Sequence, residues 1–284
     1  MRVVRLIMIL MSGCLWTVDS FSVQREERDV IEETLNFSDP RGPKELVVDN
    51  INGSIEVIGY DGNDVELVVR KTIFARSKDK LAEASRKVRL DISEEDNSIV
   101  LFVDAPYRQR DGSINYRGWR YYGYKVEFNF QIKVPRDTDV FLKTINNGEI
   151  TVEGVKGDFD IDNVNGGIEI VGASGSGRAY ALNGQLTVEF DENPDSDCYF
   201  GSLNGKIQVA FQSGFSADLR FKTFNGDVYT DFPITYLNPR KPSRKREKGK
   251  FVYKSDRSFG ARVGRGGPEI EFDGFNGDIH VVRR

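Results

Sequence analysis

Short runs of alternating apolar and polar residues flank a recurring Asn-Gly pair through most of this chain. The pair occurs seven times in one local frame, at Asn52-Gly53, Asn147-Gly148, Asn165-Gly166, Asn183-Gly184, Asn204-Gly205, Asn225-Gly226 and Asn276-Gly277. The second and fourth residues after each glycine read Ile55/Val57, Ile150/Val152, Ile168/Ile170, Leu186/Val188, Ile207/Val209, Val228/Thr230 and Ile279/Val281. Upstream, the seventh and fifth residues before glycine read Leu46/Val48, Phe159/Ile161, Gly177/Ala179, Cys198/Phe200, Leu219/Phe221 and Ile270/Phe272, with Val140/Leu142 displaced by one residue in the Gly148 copy. A period of two with one apolar side is the signature of a strand with one buried face, so each Asn-Gly is predicted to join two strands.

Successive turn glycines are 95, 18, 18, 21, 21 and 51 residues apart. A strand–turn–strand unit of 18 to 21 residues that repeats regularly buries its apolar face on its neighbours, which predicts an all-β, β-solenoid-like array. A sandwich of separate hairpins is the competing architecture. An array requires equivalent Asn-Gly turns to lie in a column at the strand spacing of about 4.8 Å. Asn-Gly also supplies positive φ angles, which a tight turn uses.

The long steps hold other elements. Strands are expected over 64–74, 99–103 and 124–134, the last closed by Pro135. Ser77 to Val88 reads as one short amphipathic helix, with Leu81, Ala84 and Val88 on one side. Two insertions, 106–123 and 239–257, interrupt the repeats. The expected organisation is a signal peptide over 1–22, a lead-in over 23–45 and one β-repeat domain over 46–284.

At the amino terminus, Arg2 and Arg5 precede an apolar stretch from Leu6 to Trp16, too short to span a bilayer comfortably. This reads as an export signal with two processing alternatives. Ser20 and Ser22 suit cleavage before Val23, while Met11-Ser12-Gly13-Cys14 is similar to a bacterial lipobox and makes Cys14 a lipidation candidate. Both place the protein outside the bacterial cytoplasm, in the periplasm, envelope or cell surface.

Composition narrows the chemistry. His280 is the single histidine, and Cys14 and Cys198 are the only cysteines. A Cys/His zinc site is therefore excluded, and a histidine-based triad would rest on His280 alone. The net charge of −4 gives no global basic field, and export argues against nucleic acid as a partner. Cys198 sits at an inward repeat position and reads as a core thiol, whereas His280 falls on the outward side between Ile279 and Val281. Asp158, Asp160, Asp162 and Glu169 imitate a calcium loop, but Asn163 stands where the sharp turn needs glycine, and the flanks read as strands. Gly172 to Gly177 is glycine-rich without a following helix, so it reads as a corner rather than a phosphate cradle. No cofactor is expected.

The insertions carry the unusual surface chemistry. Arg108, Tyr116, Arg117, Trp119, Arg120, Tyr121 and Tyr122 interleave guanidinium and aromatic groups, which suits a glycan or protein partner; the favoured alternative is cation–π packing of the loop onto the array or cover for an exposed sheet edge. The second insertion carries nine Lys/Arg, among them Arg240, Lys241, Arg244, Lys245 and Arg246, against Glu247 and Asp256. An anionic membrane surface would gain about 1 kcal/mol per basic residue there; a solvated insertion is the alternative.

Val134-Pro135-Arg136-Asp137-Thr138-Asp139, the run Ile150 to Asp158 and the Asn-Gly-x-Ile-x-Val turns together resemble the bacterial putative-adhesin family of β-strand repeats, over residues 45–284. The resemblance implies an exported, solenoid-like protein without assigned catalytic residues. The expected function is a non-enzymatic envelope or surface interaction protein. A polysaccharide-processing β-helix enzyme, which would need paired carboxylates in one groove, and a purely structural or sensory envelope accessory are the alternatives. No residue pattern fixes the oligomeric state.

Overall fold

The computed structural model describes residues 25–108, 114, 121–237, 243–247, 250–254 and 258–284, with the backbone alone for 243–247 and 250–254. The described chain is almost entirely β, with one helix, in two large mixed sheets. The first sheet runs, edge to edge, Arg25–Asn36, Asp64–Ala75, Tyr124–Pro135, Ile55–Tyr60, Ile150–Glu153, Ile168–Ala173, Leu186–Phe190, Ile207–Phe211, Ile279–Arg283 and Val228–Thr230. The second runs Ile234–Leu237, Ser258–Val263, Ala217–Asn225, Glu269–Asn276, Cys198–Asn204, Gly177–Ala181, Phe159–Asn165, Thr138–Asn146, Lys44–Asp49, Ser98–Asp104 and Arg89–Glu95. Each Asn-Gly turn carries the chain from the second sheet to the first. Equivalent strands of different units pair in parallel, as in Ile150↔Ile168↔Leu186↔Ile207↔Ile279.

The turns lie in one column. Starting at Asn225, the side-chain Nδ2 of each asparagine donates to the Oδ1 of the next, through Asn276, Asn204, Asn183, Asn165 and Asn146 to Asn52, at 2.7–3.2 Å. Asn52 Nδ2 ends the chain on the Val126 carbonyl at 3.0 Å. All the amides point the same way, so neighbours polarise one another and each bond gains from the row.

Gly53 and Gly277 have the positive φ that the turn geometry predicts, at 114° and 140°, whereas four of the glycines between them do something else. Gly148, Gly166, Gly184 and Gly205 have negative φ, and in the Gly148 turn it is Asn147 that is left-handed, at φ 57°. What these glycines supply is clearance. A Cβ on Gly166 would lie 2.0 Å from the Gly148 carbonyl oxygen, one on Gly184 2.1 Å from that of Gly166, and one on Gly205 1.9 Å from that of Gly184. The backbones of successive turns touch, and only a residue without a side chain fits between them.

The inward repeat positions fill the space between the sheets. Ile55, Leu46, Val140, Ile161, Leu186, Ile207 and Ile279 are all buried. On the second sheet, Phe200, Phe272, Phe221 and Phe259 form an interior aromatic row, with neighbouring ring centroids 5.7, 5.1 and 4.9 Å apart.

The order of units departs from a head-to-tail array at one place. The carboxy-terminal unit, 269–283, lies between 198–211 and 217–230, so the last part of the chain fills a gap left by the preceding one. Both ends of the parallel stack are closed by antiparallel strands. Ser258–Val263 and Ile234–Leu237 extend one end. At the other, Arg89–Glu95 folds back on Ser98–Asp104 through Asp96 and Asn97, both at positive φ, as a two-residue hairpin turn requires. Arg25–Asn36, expected only as part of a lead-in, is a twelve-residue edge strand whose charged side chains leave it a poor template for further pairing. The helix spans Lys78–Lys87, capped by the Ser77 hydroxyl, with Ala84 buried. Within the second insertion, Ser243–Glu247 and Lys250–Lys254 pair as a hairpin.

Two outcomes follow from this packing. Gly184→Ala is expected to cost on the order of 3 kcal/mol in urea unfolding, because the clash is with backbone that cannot turn away. Deleting 269–284 should abolish the cooperative thermal transition, since Phe200 and Phe221 both lose Phe272.

Candidate functional site

The first insertion is anchored by Arg108, one of its candidate partner-binding residues. The Arg108 side chain is only 5% exposed. Its Nε donates to the Val103 carbonyl at 2.6 Å, its two terminal nitrogens grip the Asp49 carboxylate at 2.9 Å, and the guanidinium lies 4.2 Å from the Phe102 ring centroid. Arg108 is thus a fixed anchor and not a group displayed to a partner. Tyr122 packs among Tyr107, Tyr121 and Tyr124, with centroids 5.3, 4.9 and 5.7 Å away. Tyr121 is 65% exposed. Tyr116, Arg117, Trp119 and Arg120 lie outside the described residues, as do Cys14, Arg240 and Lys241. Arg244, Lys245 and Arg246 stand on the first strand of the hairpin, in register with Tyr253, Val252 and Phe251.

Other sequence candidates have structural roles. Asp158 accepts the Ser176 N–H at 2.8 Å, and Asp160 and Asp162 pair with Arg178 at 3.1 and 2.9 Å. Among the described residues, no three His, Cys, Asp or Glu side chains gather to hold a metal ion. Gly172 to Gly177 forms a corner in which Gly175 stacks on Gly157 and Gly177 on Phe159. His280 stacks on Tyr229 at 4.7 Å; burial and Lys206 hold its imidazole below the usual histidine range. Cys198 is buried, and desolvation pushes its thiol up to about 11.

The outward faces of the two sheets differ. On the first, a central row reads Glu56, Thr151, Glu169, Thr187, Gln208 and His280, all polar. On the second, the row beside the asparagine column reads Ile145, Val164, Leu182, Leu203, Phe275 and Phe224, all apolar. The last two are 42% and 50% exposed, with parallel rings 4.7 Å apart.

At that end the face opens into a cleft of about 510 Å³. Tyr180, Gly201, Asp273, Lys222 and Ser258 fall in one row across five strands, and the Tyr180 ring occupies the space that a side chain at Gly201 would take. A Cβ at Gly201 would stand 2.5 Å from the Tyr180 ring, which leans over it. Tyr199 forms another wall, its hydroxyl 3.5 Å from Asp273, and burial pushes its phenol up to about 12. Asp273 also accepts from Lys222 Nζ at 2.5 Å. Among the described residues it is the cleft's single carboxylate, and they form no acid pair of the glycosidase kind there. The sequence analysis missed this cleft. The signal was there in the repeat frame, since Tyr180, Gly201, Lys222 and Asp273 each stand four residues before a turn glycine.

No protein-family profile matches this sequence, and no curated protein matches it either. Solved structures align with most of the chain at low similarity. One is a putative cell adhesion protein from Clostridium sporogenes, at 10% identity and a TM-score of 0.37, covering 92% of this chain and all of that one. A putative adhesin from Bacteroides fragilis matches at 10% identity and a TM-score of 0.39, over 90% of this chain and 97% of its own. A putative lipid binding protein from Parabacteroides distasonis matches at 10% identity and a TM-score of 0.23, over 91% and 96%. Likeness this distant transfers no residue role. No described helix is long and apolar enough to cross a membrane.

The Cys198 environment predicts its reactivity. A thiol reagent at pH 8 should leave it unmodified in the folded protein and label it stoichiometrically in denaturant, because the thiolate is the nucleophile and burial suppresses it.

Proposed function

We propose that this chain is a non-enzymatic interaction protein of the bacterial envelope, exported by its amino-terminal signal and built as a β-solenoid. The observation that carries this reading is the asymmetry of the two outward faces. The polar central row of the first sheet gives a partner little apolar area to bury, whereas the apolar row of the second ends in stacked, half-exposed phenylalanines. The rungs hold these side chains at fixed spacing, so a partner laid across the strands meets several weak contacts at once. The anchored first insertion and the cationic hairpin are further surfaces that the same scaffold presents. The cleft carboxylate of Asp273 is tied to Lys222, which favours binding over hydrolysis.

Cell fractionation and co-sedimentation with isolated envelopes test this together. The protein is expected outside the cytoplasm and in the envelope pellet. Leu203→Glu, in the apolar row, should weaken envelope binding at least tenfold, and Thr187→Glu, on the polar face, should leave it unchanged. Equal behaviour of the two variants, or retention in the cytoplasm, refutes the proposal.

A further inference from the structure

The cleft on the second sheet has a composition that narrows its ligand. Its walls are the rings of Tyr180, Tyr199, Phe224 and Phe275, and its polar groups are Asp273, Lys222 and Ser258. Volumes of this size accommodate small organic ligands or a few linked rings. Several occupants conflict with the surroundings. A peptide adding as a strand needs an open sheet edge, but the strands carrying Tyr180, Tyr199 and Asp273 are paired on both sides. An acyl chain would desolvate the carboxylate and ammonium without offering them a hydrogen bond.

An anion is disfavoured by the way charges are matched. Lys222 is paired with Asp273, Arg220 with Glu269 at 2.8 Å and Glu271 at 4.0 Å, and Arg178 with Asp160 and Asp162. Among the described residues, each of these three cations already has a carboxylate, so an acidic ligand would have to displace one. A neutral polyhydroxylated ring meets no such cost. Its C–H face packs on aromatic rings, and its hydroxyls both accept from an ammonium and donate to a carboxylate without breaking the ion pair.

We propose that the cleft bounded by Tyr180, Tyr199, Asp273, Lys222 and Phe275 binds an uncharged pyranose unit of a polysaccharide. This rests on the interaction-protein reading and names the ligand class of its second-sheet face. Asp273 and Lys222 orient the hydroxyls, Tyr180 and Tyr199 pack on the pyranose ring, and Phe275 covers the rim.

The test uses the full mature chain on an array of neutral α- and β-linked hexose oligosaccharides. A galacturonate hexamer and vesicles of phosphatidylcholine with phosphatidylglycerol serve as comparators. Saturable binding to a neutral oligosaccharide is expected, insensitive to added salt. Phe275→Ala and Asp273→Asn should each weaken it at least tenfold. Phe275 is exposed and its replacement leaves the interior intact, so an unchanged melting temperature separates lost contact from lost fold. Absence of binding to every neutral glycan, binding that ignores both substitutions, or binding confined to the acidic hexamer or the vesicles overturns the assignment. If Leu203→Glu still weakens envelope binding in any of those cases, the ligand class alone has failed. If it does not, the interaction-protein reading falls as well.

Discussion

The closeness of one turn backbone to the next governs this molecule. Parallel strands about 4.8 Å apart leave no room for a Cβ where Gly148, Gly166, Gly184 and Gly205 stack, so those positions are glycine for steric reasons. The same spacing brings each asparagine amide within hydrogen-bond distance of its neighbour, and the column from Asn225 to Asn52 closes on the Val126 carbonyl. Each such bond is worth about 1 kcal/mol net. The column therefore matters more as a device for register than as a store of stability. Slipping one unit by one residue would break two amide bonds, drive a side chain into a glycine gap and turn an apolar pair out to water.

Correct register on the inside imposes order on the outside. Because inward residues line up, residues at any other fixed offset from the turn line up too. Leu182, Leu203, Phe275 and Phe224 become a row, and Tyr180, Gly201, Asp273 and Lys222 become a ring seated over a glycine beside an ion pair. The surface is rigid for the same reason the core is, and its chemistry changes from strand to strand without disturbing the interior. At one edge of the first sheet, the charged strand Arg25–Asn36 is a poor template for further pairing.

Much of this could be read from the chain before the structure. The buried pairs around each turn, from Leu46/Val48 to Ile279/Val281, follow from period-two patterning, and the helix from Ser77 and the spacing of Leu81, Ala84 and Val88. The strand Arg25–Asn36 was invisible because both its faces are largely exposed, so nothing in it alternates. The swapped order of the last two units was invisible because every unit carries the same apolar pattern, and the pattern cannot say which copy sits beside which. Arg108 shows a different limit. Sequence identifies a guanidinium next to aromatic residues, but only its distance to Asp49 and Phe102 shows that it is spent on holding the loop.

The placement of residues 269–283 between two earlier units bears on how the chain matures. A stack that followed chain order could zip up unit by unit. Here the segment around Asn225 has to wait for its neighbour around Asn276, 51 residues later, before it is joined to the rest of the array. Closure of the stack is thus a long-range event, which makes it slower than a strictly sequential array would be.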